Sequence, residues 1–122
     1  MLGEVKAITL NTGQFVSKTL GQIQRLADIG EVLISEHGYD ELSNDNLTAR
    51  EIVKGAKNSV LIEDYSNYPK GPAVLVLQKD NAGNPVHAVW GIPKGHNRPA
   101  VLVTAYHPDP QRWNETFTER KQ

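Results

Sequence analysis

"AVLVLQKDNAGNPVHAVWGI", Ala73 to Ile92, decides the fold. Its first six residues are apolar on both faces, the pattern of a strand in the middle of a sheet. "KDNAGNP" follows, polar and with Gly83 free to take positive φ, and reads as a hairpin connection. "VHAVWGI" then returns with period two: Val86, Ala88, Trp90 and Ile92 on one face, His87 and Val89 on the other. Strands joined by so short a turn run antiparallel. Beyond them, "PKGHNRP" makes a second hairpin tip and "AVLVTAY" (Ala100–Tyr106) the return strand. Upstream, "SVLIEDY" (Ser59–Tyr65) reads as a strand closed by the turn-rich "SNYPKGP".

The N-terminal half has helical spacing instead. "TLGQ" (Thr19–Gln22) has capping-box form, Leu20, Ile23 and Leu26 or Ala27 recur at helical intervals, and Gly30 is a plausible stop. "VLIS" (Val32–Ser35) is a short extended segment. "EHGYDELSND" is a weak helix: Tyr39 and Leu42 share a face, but Gly38 costs about 1 kcal/mol against Ala. "TARE" (Thr48–Glu51) is a second capping box, followed by a stripe of Ile52, Val53 and Ala56 that closes near Asn58. Residues 1–17 read as a loosely attached arm and residues 18–122 as one domain. The expected class is α+β, with N-terminal helices packed on one face of an antiparallel four- to five-stranded sheet.

The chain has 122 residues, no cysteine and a formal charge of −1. That length suits one core. Lack of cysteine removes disulfides and thiolate metal sites and fits a reducing cytosol. There is no apolar run of about 18 residues and no charged-then-apolar leader, so neither a membrane span nor a signal peptide is expected. Proteins that hold nucleic acid through phosphates usually show a basic surplus. Here it must be local: from Gly91 onward Lys94, Arg98, Arg112, Arg120 and Lys121 face Asp109, Glu115 and Glu119, and His96 and His107 add charge when protonated. An ordinary solvated surface explains the same residues equally well.

Four histidines are candidates for proton transfer. His37 begins the weak helix, His87 interrupts an apolar strand on the face away from Trp90, His96 sits in a hairpin tip and His107 precedes Pro108. Each has a plain alternative: a strand histidine with satisfied nitrogens, or a solvated loop residue. No HExxH, His-x-His or helical histidine pair occurs, so no metal is expected. Neither a Gly-x-Ser-x-Gly elbow nor a Walker loop is present, and no cofactor is expected. "GIPKG" shapes a hairpin tip; if it touches phosphate, Lys94 acts as a point charge.

"LVTAYHPDPQRW" (Leu102–Trp113) ends the last strand with hydrogen-bonding side chains. Strict alternation puts Leu102, Thr104 and Tyr106 on one face and Val101, Val103 and Ala105 on the other. If the last two strands pair, Thr104 or Tyr106 lies near His87, since facing residues sit about 4.5–5.5 Å apart. An imidazole, a hydroxyl and a phenol on one face can position and protonate a phosphodiester. Thr and Tyr are also simply good strand formers.

From about Leu20 onward the chain resembles a small bacterial family. "LISEH" (Leu33–His37), "LTARE" (Leu47–Glu51), "LIEDY" (Leu61–Tyr65), "GNPVHAV" (Gly83–Val89) and "LVTAYHPDPQRW" follow its order of pieces. Through that family the chain is similar to the metal-independent ribonuclease toxins, which include RelE-type, barnase-like and EndoU-like nucleases. The resemblance implies a RelE/barnase-like domain, RNA as substrate, a toxin–antitoxin or competition system, an antitoxin or immunity protein as partner, and action in a cytoplasm. It also implies that His37, His87, Glu63, Thr104 and Tyr106 form the catalytic set. One departure stands out. The family has Arg four residues after its first histidine, where this chain has Glu41; Arg favours phosphate and Glu repels it.

The expected chemistry is RNA cleavage through a 2′,3′-cyclic phosphate. His87 and His37 are the proton-transfer pair, in either order, each worth roughly 10²–10⁴-fold. Thr104 and Tyr106 hold phosphate oxygens, Lys94 or Arg112 supplies positive charge, and Tyr65, Tyr68 or Trp113 stacks a base. Glu41 and the near-neutral charge favour an alternative of another class, a non-catalytic module that binds a protein partner or RNA through the same sheet face. A third reading is a structural domain whose polar face is merely solvated.

Overall fold

A computed structural model describes residues 17–121, so nearly all of the arm expected over residues 1–17 lies outside the described residues. Among the described residues three helices and a short strand come first: α1 (Lys18–Asp28), β1 (Val32–Ile34), α2 (Glu36–Asn44) and α3 (Ala49–Gly55), the last continuing as a 3-10 turn, Ala56–Asn58. Four strands follow, β2 (Val60–Tyr65), β3 (Ala73–Lys79), β4 (Pro85–Gly91) and β5 (Ala100–Tyr106). They form one sheet in the order β1-β5-β4-β3-β2. The α+β class is as expected, and β2 to β5 meander antiparallel. β1 is the departure: it joins outside β5 in parallel, Val32 facing Ala100 and Ile34 facing Leu102. Three residues are too few to carry a periodic signal of their pairing.

Side-chain caps set the helix starts. Ser17 Oγ accepts from Leu20 N at 3.0 Å, so α1 begins two residues before the box read at Thr19, which is buried in the first turn. Thr48 and Glu51 do form the expected reciprocal box: Thr48 N donates to Glu51 Oε2 at 2.7 Å and Glu51 N to Thr48 Oγ1 at 3.2 Å. Ser35 caps α2 through Gly38 N at 2.9 Å. Gly38 is also where α2 meets β5, since a β-carbon there would stand 2.8 Å from the Leu102 carbonyl oxygen. Gly38 and Leu42 therefore form the buried side of α2, whereas Tyr39 is 57% exposed, contrary to the face expected of it.

The core lies between the helices and one face of the sheet. Trp90, Ile23, Ile52, Leu102, Val74, Val76 and Val86 are fully buried in it. Trp90 Nε1 donates to Gln78 Oε1 at 3.2 Å and Gln78 Nε2 to the Ile52 carbonyl at 2.7 Å, so the buried polar atoms tie β4 to β3 and β3 to α3.

Two bulges set which residues reach the other face. Val89 faces Thr104, but Trp90 faces Leu102, leaving Val103 as an extra residue. Leu102 and Ala105 consequently share the helix face. Thr104 and Tyr106 fall opposite, with His87, which corrects the strict alternation expected for β5. On β2, Leu61 faces Val76 and packs on the core, whereas Glu63 faces Leu75, so a bulge at Ile62 turns Glu63 onto the His87 face.

Candidate functional site

Register brings Leu77, His87 and Tyr106 into one row across β3, β4 and β5. His87 is fully buried, although none of the described helices packs on its face, because the segment after β5 folds back over it. Trp113 meets the imidazole edge-on with ring centroids 4.3 Å apart, and Tyr106 does so at 5.8 Å. His87 Nε2 lies 2.7 Å from the Phe117 carbonyl oxygen. A carbonyl only accepts, so this geometry assigns the proton to Nε2 and a bare lone pair to Nδ1. Nδ1 is buried with no hydrogen-bond partner among the described residues.

A turn centred on Asn114 aims the Phe117 carbonyl. Asn114 Oδ1 accepts from Thr118 N at 3.0 Å and from Glu119 N at 3.2 Å, and Phe117 sits at φ 61°. Backbone bonds from Asn114 N to Glu119 O and from Lys121 N to Arg112 O close the segment into a strap. Arg120, on its returning arm, lies over the Trp113 ring at 4.9 Å and donates to Glu63 through Nη1 at 2.7 Å. Tyr65 donates its hydroxyl to the same carboxylate. Strap and sheet are thus joined by one ion pair, one ring contact and one bond to the histidine.

Charge follows from these contacts. Burial holds the His87 imidazole below its ordinary range; the Phe117 carbonyl pulls it back up and the Arg120 cation adds a push down. Burial pushes the Tyr106 phenol up, Arg120 opposes this, and Glu63 and Glu41 reinforce it. The hydrogen bond from Arg120, and then that from Tyr65, holds the Glu63 carboxyl below its ordinary value. At neutral pH the site is therefore a neutral imidazole beside a protonated phenol, with a carboxylate already matched to a guanidinium.

Beside this group opens a cleft of about 760 Å³ lined by Tyr106, His107, Arg112, Trp113, Arg120 and Lys121. Asp109, 3.8 Å from Arg112, is the acidic residue on its wall. His107 stands at the rim, clamped between carboxylates: its Nε2 is 3.0 Å from Asp80 Oδ2 and its Nδ1 3.5 Å from Asp45 Oδ2. Its backbone N–H also donates to Asp45 at 2.7 Å, which fastens the end of α2 to the end of β5.

The candidates read from the sequence divide accordingly. His87, Tyr106, Glu63, Tyr65 and Trp113 are in one connected group, and Arg112 lines the adjoining cleft. Thr104 is half-buried on the same face, opposite Val89. His37 is exposed on the first turn of α2 and has no part in the contacts around His87. Lys94 is exposed beyond the far end of β4, whereas His87 lies near that strand's start. Arg120, the Phe117 carbonyl and the Asp45 and Asp80 clamp were not foreseen. They sit in polar stretches without periodicity, and a backbone carbonyl has no signature in a sequence. Among the described residues, no group of three or more His, Asp or Glu side chains, the His107 clamp included, is arranged so that it could hold a metal ion, and no helix is long and apolar enough to cross a membrane.

Fold and site together define an α+β domain whose open sheet face holds an imidazole–phenol–carboxylate group under a C-terminal strap, beside a cationic cleft. Residues 34–107 match the family described as a domain of unknown function, DUF4258. That is more than half of the chain, and the chain belongs to this family. No match was found among curated proteins or among solved structures.

Proposed function

We propose that the chain is a metal-independent endoribonuclease of the toxin kind, which holds RNA between the end of β5 and the strap. One observation carries this reading: a cleft bearing Arg112, Arg120, Lys121, Tyr106 and Trp113 adjoins the His87–Tyr106 pair. The surroundings push those two groups apart, leaving a neutral imidazole to accept a proton and a protonated phenol to give one. His87 Nδ1 takes the 2′-hydroxyl proton, and the freed oxygen attacks phosphorus. The bond to the 5′-oxygen breaks, and Tyr106 protonates that oxygen. The products are a 2′,3′-cyclic phosphate and a 5′-hydroxyl. Arg112 and Arg120 stabilise the charge on the phosphoryl oxygens, and Trp113 stacks a base. Tyr106 thereby takes the role that the sequence assigned to His37.

Nδ1 is buried, so a substrate reaches it only when the groups covering the ring move aside. That shielding favours a second reading, a module that binds RNA or a protein partner such as an antitoxin through this face without cleaving it. Incubating a mixed RNA pool with the chain in the presence of a chelator, and scoring cyclic phosphate ends, separates the two. Wild type is expected to cleave, and Tyr106→Phe and His87→Gln to be slower by about 10²-fold or more. Undiminished cleavage by both variants discards the assignment. Retention of RNA without cleavage selects the second reading.

A further inference from the structure

A second groove, of about 750 Å³, opens at the same end of the sheet, between α3 with its 3-10 extension and the ends of β2 and β3. Lys54, Lys57 and Lys79 line it; all three are exposed, and among the described residues none is in an ion pair. The two carboxylates in its wall are already occupied. Glu51 accepts from the backbone of Thr48 and Asn81, and Asp80 accepts from Ala82 N, Asn84 N and His107. Three lysines against two carboxylates leave the groove a small positive surplus, carried by ammoniums that pair with no carboxylate among the described residues.

The two grooves adjoin. His107 lines the first, Asp80 lines the second, and their side chains meet at 3.0 Å to form the ridge between them. Leu77 of the second groove and Tyr106 of the first stand in one row with His87 between them, two strand spacings or about 10 Å apart. At the ridge the His107 imidazole stands between two carboxylates, its Nε2 3.0 Å from Asp80 Oδ2 and its Nδ1 3.5 Å from Asp45 Oδ2.

We propose that the lysine groove is a second phosphate-backbone subsite, so that the ligand is an extended single-stranded RNA crossing the His107–Asp80 ridge rather than a dinucleotide. This rests on the RNA reading of the first cleft. Lysine ammoniums meet phosphates as point charges, so the subsite adds affinity and salt dependence without base preference.

Fluorescence anisotropy with labelled 2′-O-methyl oligoribonucleotides, which lack the attacking hydroxyl, tests it on the full chain. A twelve-nucleotide strand is expected to bind at least tenfold more tightly than a four-nucleotide one. The triple variant Lys54→Ala, Lys57→Ala, Lys79→Ala is expected to abolish that advantage and leave the shorter strand's binding unchanged. The slope of log affinity against log salt for the longer strand then falls by about 2, at about 0.7 for each phosphate that a lysine no longer neutralises. The corresponding triple change to Arg keeps the advantage, and far-ultraviolet circular dichroism checks that both variants fold. Equal affinity for the two lengths, or an unaltered twelve-nucleotide affinity in the alanine variant, overturns the second subsite while leaving the first cleft standing. If neither length binds the wild type, the RNA reading of the first cleft falls and takes the subsite with it.

Discussion

At the scale of single residues, His87 has one donor and one acceptor, and only the donor is used. An acceptor buried without a partner costs about 1–3 kcal/mol, a cost that function or an adjoining ligand would explain. The depressed basicity of His87 also gives stability a pH dependence of known sign. In the unfolded chain the imidazole titrates near about 6.5. As pH falls below that value the unfolded state takes up a proton before the folded state does, so stability is full above it and declines below it until the folded imidazole is protonated too. Glu63 and Asp80, depressed carboxylates, lose their contribution only at lower pH, below about 4. Urea unfolding at a series of pH values between about 7 and 5 is therefore expected to show a shallower decline for His87→Gln than for wild type. Equal declines would contradict a buried neutral imidazole.

At the scale of elements, α2 and the two bulges decide which residues meet. Alanine is the better helix former at an exposed position, by about 1 kcal/mol. At Gly38 the added methyl would stand 2.8 Å from the Leu102 carbonyl oxygen, and backbone on both sides cannot yield without moving α2 off β5. Gly38→Ala is thus expected to destabilise the fold by about 1–3 kcal/mol in chemical denaturation. A gain in stability would refute the close contact. The β3–β4 pairing, the alternation on β4 and the Thr48–Glu51 box were legible beforehand, because turn residues, period and capping chemistry are local. The bulges were not: Val103 and Ile62 are ordinary strand residues, and an inserted residue leaves no mark in composition. Without the bulges, Glu63 would share the helix face with Leu61, and Thr104 and Tyr106 would share it with Leu102.

At the scale of the whole molecule, the strap makes a buried site out of an open sheet face. A chain ending at Asn114 would lose the Phe117 carbonyl, Arg120 and the ion pair to Glu63. Its His87 is expected to titrate, by proton NMR, closer to the ordinary value of about 6.5 than in the full chain. An unmoved titration would show that something other than the strap sets its environment. By itself the sequence determined the α+β class, the antiparallel meander and the approach of His87 to the end of the last strand, since hydrophobic period and turn chemistry act between near neighbours. Only tertiary structure decided that β1 lies parallel to β5, that Glu63 joins His87 and Tyr106 on their face, and that Phe117 and Arg120 close over them. Those meetings join residues far apart in the chain, and packing and register, which no local pattern encodes, bring them together.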